Sequence, residues 1–384
     1  MTRVARPGRP AMCQGLARLA ALTLATVLLA GCGPILAVAP AERPTSPPEP
    51  STPPRPADPV PIALPRDDGP HDRLTEWWYY TGHLRGERGG RWGFEFVVFR
   101  AERGVVPVAW ASHLALTDEL GERFIYEERS HVGVGVDRSK AGGGFDLTIP
   151  DDASTSEAAG EPWRMAGAGG HDTLTASFRD GLGFDLELTS LQPPALHDTD
   201  GWIDFGPAGG SYYYSRTRMA VDGSLTVEGA DVPTVGLTWF DHQWGDFISV
   251  GGGGWDWFAV NLEDGTDLSL SLVRDRAGNY PLVYGTLVAP DGDVRHLTAA
   301  EFDVKTTGRW RSPDTGADYP AGWKIDVPGE GLAIDLLPTV ADQELDTRDS
   351  TGVVYWEGSQ RVSATRDGRS VRGEAYVELT GYAG

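Results

Sequence analysis

Thiols are almost absent from this chain of 384 residues, whose two cysteines, Cys13 and Cys32, both lie near its start. The rest of the chain therefore has no disulfide, no catalytic thiolate and no cysteine metal site. Positive charge is scarce as well: 33 lysines and arginines stand against 55 acids, a formal net charge of −22. So acidic a chain does not hold nucleic acid by charge, nor an anionic lipid surface. No stretch shows sustained helical periodicity, and the apolar run at residues 19–30 is too short to span a bilayer as a mature helix. Gly-x-Ser-x-Gly, His-Glu-x-x-His and Gly-x-x-x-x-Gly-Lys are all missing. The eight histidines show no metal-ligand spacing, and His242 has no histidine near it in sequence, so no metal is expected. The four glycines at residues 251–254 lack a strand–helix context and read as a flexible loop, not a phosphate cradle.

What is present begins with a leader. Arg3, Arg6, Arg9 and Arg18 precede the apolar run, which ends in Leu29-Ala30-Gly31-Cys32. This resembles the bacterial lipobox and implies a signal peptide over residues 1–31, with Cys32 lipidated as the new first residue. The mature chain would carry a net charge of −26. A fatty-acyl anchor of the palmitate type must then do the tethering, and one acyl chain alone holds only marginally. Residues 33–65 contain 12 of the 28 prolines and read as an extended spacer, so residues 32–65 form the expected tether. The expected location is the cell envelope, lipid-anchored on the extracytoplasmic face of a membrane.

The remainder reads as strands. Phe94, Phe96 and Val98 alternate with Glu95, Val97 and Phe99, and the same period of two recurs at residues 184–188, 268–272 and 332–336. Asp-Gly pairs at residues 222, 264, 291 and 367 signal turns between them. Many short antiparallel strands imply an all-β barrel or sandwich. A weak internal repeat splits it: WWYYTGHL at residues 77–84 is echoed by WDWFAVNL at residues 255–262. Two units are expected, residues 66–228 and 229–384.

Thirteen tryptophans cluster beside acids. Glu76-Trp77-Trp78-Tyr79-Tyr80 opens the first unit. Trp239-Phe240-Asp241-His242-Gln243-Trp244 and Trp255-Asp256-Trp257 open the second, and Tyr355-Trp356-Glu357 comes late. Core packing accounts for aromatics but does not ask for a carboxylate beside each one. Aromatic walls bury apolar ligands and stabilise positive charge on carbon, and a desolvated acid favours its protonated form. Acid plus aromatic wall is what protonating an alkene requires. A regular strand turns Trp77 and Trp78 to opposite faces. It likewise sets Asp241 and Gln243 against His242 and Trp244, unless a bulge near Gly245 intervenes.

At these residues the chain resembles the AttH-like, carotenoid 1,2-hydratase family of lipocalin-like proteins. The matching stretches are EWWYYTGHL at residues 76–84, SHLALTD at 112–118, SYYYSRTRM at 211–219, GLTWFDHQWGDF at 236–247, GWDWFAVNLEDG at 254–265, DQEL at 342–345, YWEG at 355–358 and EAYVELTGY at 374–382. The resemblance implies two lipocalin-like antiparallel β-barrels in tandem, with an apolar pocket in or between them. Some members hydrate a carotenoid double bond, and fungal relatives guide cyclisations of polyketide chains. The His-x-Trp pair of the hydratase branch matches His242 and Trp244. Its downstream Tyr-x-Asp pair is replaced here by Ser269 and Ser271, and Asp241, Asp256 or Glu76 could supply the proton instead. The expected activity is a cofactor-independent hydro-lyase or isomerase acting on a C=C bond of an isoprenoid- or polyene-like ligand. Asp241 is the expected donor and His242 its orienter or base. Trp77, Trp78, Tyr79, His113, Tyr213, Trp244, Trp255, Trp257 and Trp356 are the expected ligand-binding residues. The alternative is a non-catalytic carrier using the same aromatics.

Overall fold

The computed structural model describes residues 57–151, 160–248 and 252–383. Cys32, the leader and the tether up to residue 56 lie outside the described residues. Within them the protein is all-β apart from three short 3-10 turns.

The first sheet is built from β1 (Thr75–Gly86), β2 (Arg91–Ala101), β3 (Ala109–Asp118), β4 (Arg123–Val132), β5 (Phe145–Ile149), β6 (Trp163–Ala168), β7 (His171–Ser177), β8 (Gly183–Ser190), β9 (Ala195–Leu196), β10 (Trp202–Asp204), β11 (Gly210–Val227) and β12 (Ala230–Gly245). Its spatial order is β4-β3-β2-β1-β12-β11-β8-β7-β6-β5, with β9 and β10 also on β11. The remaining strands are β13 (Gly252–Leu262), β14 (Asp267–Asp275), β15 (Leu282–Val288), β16 (Val294–Thr298), β17 (Asp303–Thr306), β18 (Arg309–Arg311), β19 (Asp318–Pro320), β20 (Trp323–Val327), β21 (Leu332–Pro338), β22 (Glu344–Thr347), β23 (Val353–Arg366) and β24 (Arg369–Thr380). The second sheet runs β16-β15-β14-β13-β24-β23-β21-β20-β17, with β22 on β23, while β18 and β19 pair separately. Both large antiparallel sheets are barrel-like, one nearly closed and one a half-barrel, consistent with the two tandem lipocalin-like barrels expected.

The repeat has a topological counterpart. β1 lies between β2 and β12, and β13 lies between β14 and β24. Tyr79 and Trp257 hold matching places in the repeated stretches. They meet across the two units, ring centroids 5.4 Å apart and edge-on.

Two expectations about boundaries change. β12 pairs with β1 from Thr75↔Gly245 to Gly86↔Thr234, so the first barrel runs to Gly245, beyond the expected limit at residue 228. Glu228-Gly229, both at positive φ, is the tight turn of the β11–β12 hairpin. Asp222-Gly223 is likewise no turn but lies within β11. The spacer also ends early. Val60, Ile62 and Leu64 pack on the first core, and Asp58 bonds Arg73 at 2.6 Å and Tyr212 at 2.7 Å.

β1, β2 and β3 are buried on both faces and read as near-continuous apolar runs, whereas β8 and β21 alternate buried with exposed positions. Trp78, Tyr80, Phe94, Phe96, Phe240 and Trp244 fill the first barrel. Phe258, Trp323 and Trp356 fill the second. Tyr79, Val97, Trp239, Trp257, Ala259 and Tyr376 form a third apolar layer where the sheets face each other. That layer is a seam between the barrels.

Candidate functional site

The β1–β12 register is unbroken, so no bulge brings Asp241 and His242 together. Asp241 faces the seam and His242 the interior of the first barrel. The expected donor–orienter pair is therefore corrected: the two side chains serve different sites.

At the seam Asp241 is buried and accepts three hydrogen bonds. The Tyr213 hydroxyl donates at 2.5 Å and Trp239 Nε1 at 2.7 Å; the third comes from the Ser215 hydroxyl. Trp257 Nε1 donates in turn to the Tyr213 oxygen at 3.1 Å. His197 stacks on Tyr213 at 3.8 Å and bonds Ser215 at 2.7 Å. Burial lifts the Asp241 carboxyl to about 6, and its three donors hold it from rising further.

Two further carboxyls lie in the same layer. Tyr79 donates to Glu357 Oε1 at 2.7 Å, and Tyr355 donates to Glu95 Oε1 at 2.8 Å. His113 Nδ1 is 2.7 Å from the same Tyr355 hydroxyl. Glu95 and Glu357 are 1% and 0% exposed. The second oxygen of each is buried with no hydrogen-bond partner among the described residues. Burial first, and then the nearby charge of Glu378, raises both toward the protonated form, and Glu95 adds to the rise at Glu357. Glu95 reaches about 8 and Glu357 moves well above the ordinary range. Glu378, partly exposed, accepts from Trp255 Nε1 at 2.9 Å and is raised by burial.

The first-barrel site is different in character. Glu76 Oε1 lies 2.7 Å from His71 Nδ1 and 3.0 Å from His242 Nε2, and the His71 amide donates to Oε2 at 2.9 Å. Burial opposes the charge on Glu76, but the two imidazoles prevail and its pKa is lowered. Trp244 stacks parallel on His71 at 4.1 Å, and Trp78 lies on His242 at 4.7 Å. Spacing along the chain gave no sign of it, but the fold brings two histidines to one carboxylate. His71 and His242 rings are 5.6 Å apart, and His71, Glu76 and His242 offer three ligand atoms within 4.8 Å of one another.

The expected residues thus fall into three groups. Asp241, Tyr79, His113, Tyr213 and Trp257 line the seam, with Trp77 half-buried and Trp255 exposed at its edge. Glu76, Trp78, His242 and Trp244 belong to the first barrel. Asp256 and Trp356 belong to the second. Asp256 is held by Tyr382 at 2.9 Å and Arg274 at 3.4 Å, and Trp356 packs near Trp323 in the core. Ser269 and Ser271 sit opposite Ala259 and Trp257 and so share the seam face. A surface cleft of about 310 Å³ is lined by Glu122, Phe124, Tyr126, Asp314, Val340, Asp342, Glu344 and Asp346, and none of the expected ligand-binding residues reaches it.

Sequence reasoning missed Glu95, Glu357 and His71. A signal existed for the first: Glu95 is the one charge in a strand run apolar on both faces. Glu357 stood in a noted cluster beside Trp356. His71 lies in the irregular segment before β1 and carried no pattern.

The fold has counterparts among known proteins. A family model described as AttH-like matches residues 55–382. The crystal structure of the AttH protein NE1406 from Nitrosomonas europaea is 30% identical, with TM-score 0.72, covering 84% of this chain and 98% of that one. Kievitone hydratase from Nectria haematococca shares the fold at 17% identity and TM-score 0.63, covering 83% of this chain and 93% of its own. CghA with Sch210972 does so at 15% identity and TM-score 0.53, over 81% and 90%. None of the curated proteins matches. The chain belongs to the AttH-like family.

Proposed function

We propose that this protein is an extracytoplasmic, membrane-tethered hydratase or isomerase. It protonates a carbon–carbon double bond of an apolar, isoprenoid- or polyene-like ligand at the seam between its barrels. The observation that carries the reading is the pair Glu95 and Glu357. Each is buried, raised toward its protonated form and anchored by a tyrosine through one oxygen, with the other oxygen unpartnered. A carboxyl in that state has an O–H to give.

The Glu357 proton passes to an alkene carbon, and the π pair becomes the new C–H bond. The positive charge left on the other carbon faces Tyr79 and Trp257, whose rings stabilise it. Water then adds and returns a proton to the carboxylate, or a neighbouring C–H loses one; the first outcome is hydration, the second isomerisation. Asp241, acceptor of three hydrogen bonds, holds Tyr213 and Trp239 in place beside the reacting groups and takes up no net proton. No cofactor takes part. Kievitone hydratase, a protein of the same fold, is named for reaction chemistry of this class.

A carrier is the second reading, favoured by Ser269 and Ser271 where the hydratase branch has Tyr and Asp. Incubating the protein with ligand extracted from its own membranes separates the two. The enzyme converts it to a product heavier by one water or to an isomer with shifted polyene absorbance. A ligand that binds and returns unaltered establishes the carrier. The tether is tested separately: Cys32→Ser should leave the membrane fraction, and unchanged attachment would refute the anchor.

A further inference from the structure

The opposite face of β1 and β12 carries a second site that the seam chemistry does not use. The geometry points to His71, Glu76 and His242 as a binding site for one divalent transition ion of the zinc class, bound by two imidazole nitrogens and one carboxylate oxygen.

The donor set suits such an ion: borderline nitrogen and hard oxygen, no thiolate. A tetrahedral site with bonds of ~2.0–2.1 Å sets neighbouring donor atoms about 3.4 Å apart. Here His71 Nδ1 and His242 Nε2 lie 2.7 and 3.0 Å from Glu76 Oε1. Each need retreat by only about 0.3–0.7 Å to admit the ion. Two of the three ligands are fixed by the sheet, since Glu76 and His242 stand on adjacent strands in continuous register.

The surroundings support the ligands. Asp67 Oδ1 lies 3.7 Å from His71 Nε2, the nitrogen facing away from Glu76. Its other oxygen is anchored by the Ala63 amide at 2.7 Å. At 3.7 Å this is an ionic contact and not a hydrogen bond, and Asp67 also holds the Arg66 guanidinium at 2.5 Å; its negative charge behind the ring raises the basicity of the imidazole. Trp244 stacked on His71 holds the ring plane. There is also a way in: the His71 side chain is 20% exposed, whereas Glu76 and His242 are at 0%. Three protein ligands leave a fourth position on the ion for water or for an oxygen of a ligand.

The test uses the intact chain, purified without a histidine tag and stripped with chelator. Zn²⁺ titration by calorimetry is expected to show one ion per chain, and Co²⁺ to give the intense visible bands of a four-coordinate site. His71→Ala and Glu76→Gln should each weaken Zn²⁺ at least tenfold with the far-UV circular dichroism spectrum unchanged. His71 lies before the first strand and Gln matches Glu in size, so the fold survives both. Asp67→Asn should weaken binding by ~10- to 100-fold. Absence of stoichiometric uptake by the wild type overturns the site, as does unaltered affinity in either ligand variant.

Discussion

Tyr79 of β1 donates to Glu357 of β23 at 2.7 Å, joining the two barrels through one buried hydrogen bond. Removing the donor leaves a buried carboxyl unpaired. Tyr79→Phe should therefore lower stability by about 1–3 kcal/mol, read from the urea midpoint. Glu357→Gln should be near neutral at pH 7, because glutamine matches the protonated acid in shape and still accepts from Tyr79. Equal losses in the two variants would mean that Glu357 is ionised.

Glu95 makes stability depend on pH with a definite sign. Its ordinary value is 4.5 and its value in the folded protein about 8. Between these the folded protein keeps a proton that the unfolded chain has lost, so rising pH favours unfolding. The stabilisation is complete below 4.5 and lost as pH climbs through about 8. Buried His113 and His197, both depressed to about 3, act in the opposite sense, but only below their ordinary 6.5. The melting temperature should therefore fall between pH ~6.5 and ~8.5, and Glu95→Gln should flatten that decline. A profile identical in the variant would remove Glu95 as its source.

Another tie between the barrels depends on a bulge. Pairing of β11 with β12 slips between Arg216 and Met219. The consecutive residues Thr217 and Arg218 thereby both reach Asp267 of β14, at 2.8 and 2.6 Å. Asp267 is fully buried, so removing its cation strands a charge. Arg218→Ala should destabilise by about 3–5 kcal/mol, and Asp267→Asn in the same chain should restore part of it. Additive losses in the double variant would show that the two are not coupled.

Much of this fold is legible in the sequence. Alternating runs such as residues 94–99 and 268–272 mark strands β2 and β14, and the aromatic repeat marks β1 and β13 as equivalent. The second boundary was not legible, because Glu228-Gly229 signals a turn without saying whether a hairpin or a linker follows. The site was half legible. Acids beside aromatics led to β1, β12 and β13, yet those strands are buried on both faces. Alternation separates Asp241 from His242 but cannot say which faces the other barrel. Glu357 and His71 become visible only when distant segments meet, Glu357 through Tyr79 and His71 through His242.

Ligand binding distinguishes the two faces. Trp257 belongs to the seam and Trp244 to the first barrel. Trp257→Ala should weaken an apolar ligand by about 1–3 kcal/mol, roughly 5- to 150-fold in Kd, by tryptophan fluorescence quenching. Trp244→Ala should lower the melting temperature and leave that Kd nearly unchanged. The reverse pattern would move the ligand into the first barrel.

Solvent-deuterium incorporation tests the central claim most directly. Protonation of an alkene carbon in D₂O leaves a deuterium that does not wash out, whereas a carrier leaves none. The wild type should label its bound ligand at carbon. Glu357→Gln should slow labelling by ~10²–10⁴-fold while the ligand still binds. A ligand recovered without carbon-bound deuterium from the wild type, or labelled as fast by Glu357→Gln, would contradict proton transfer at the seam.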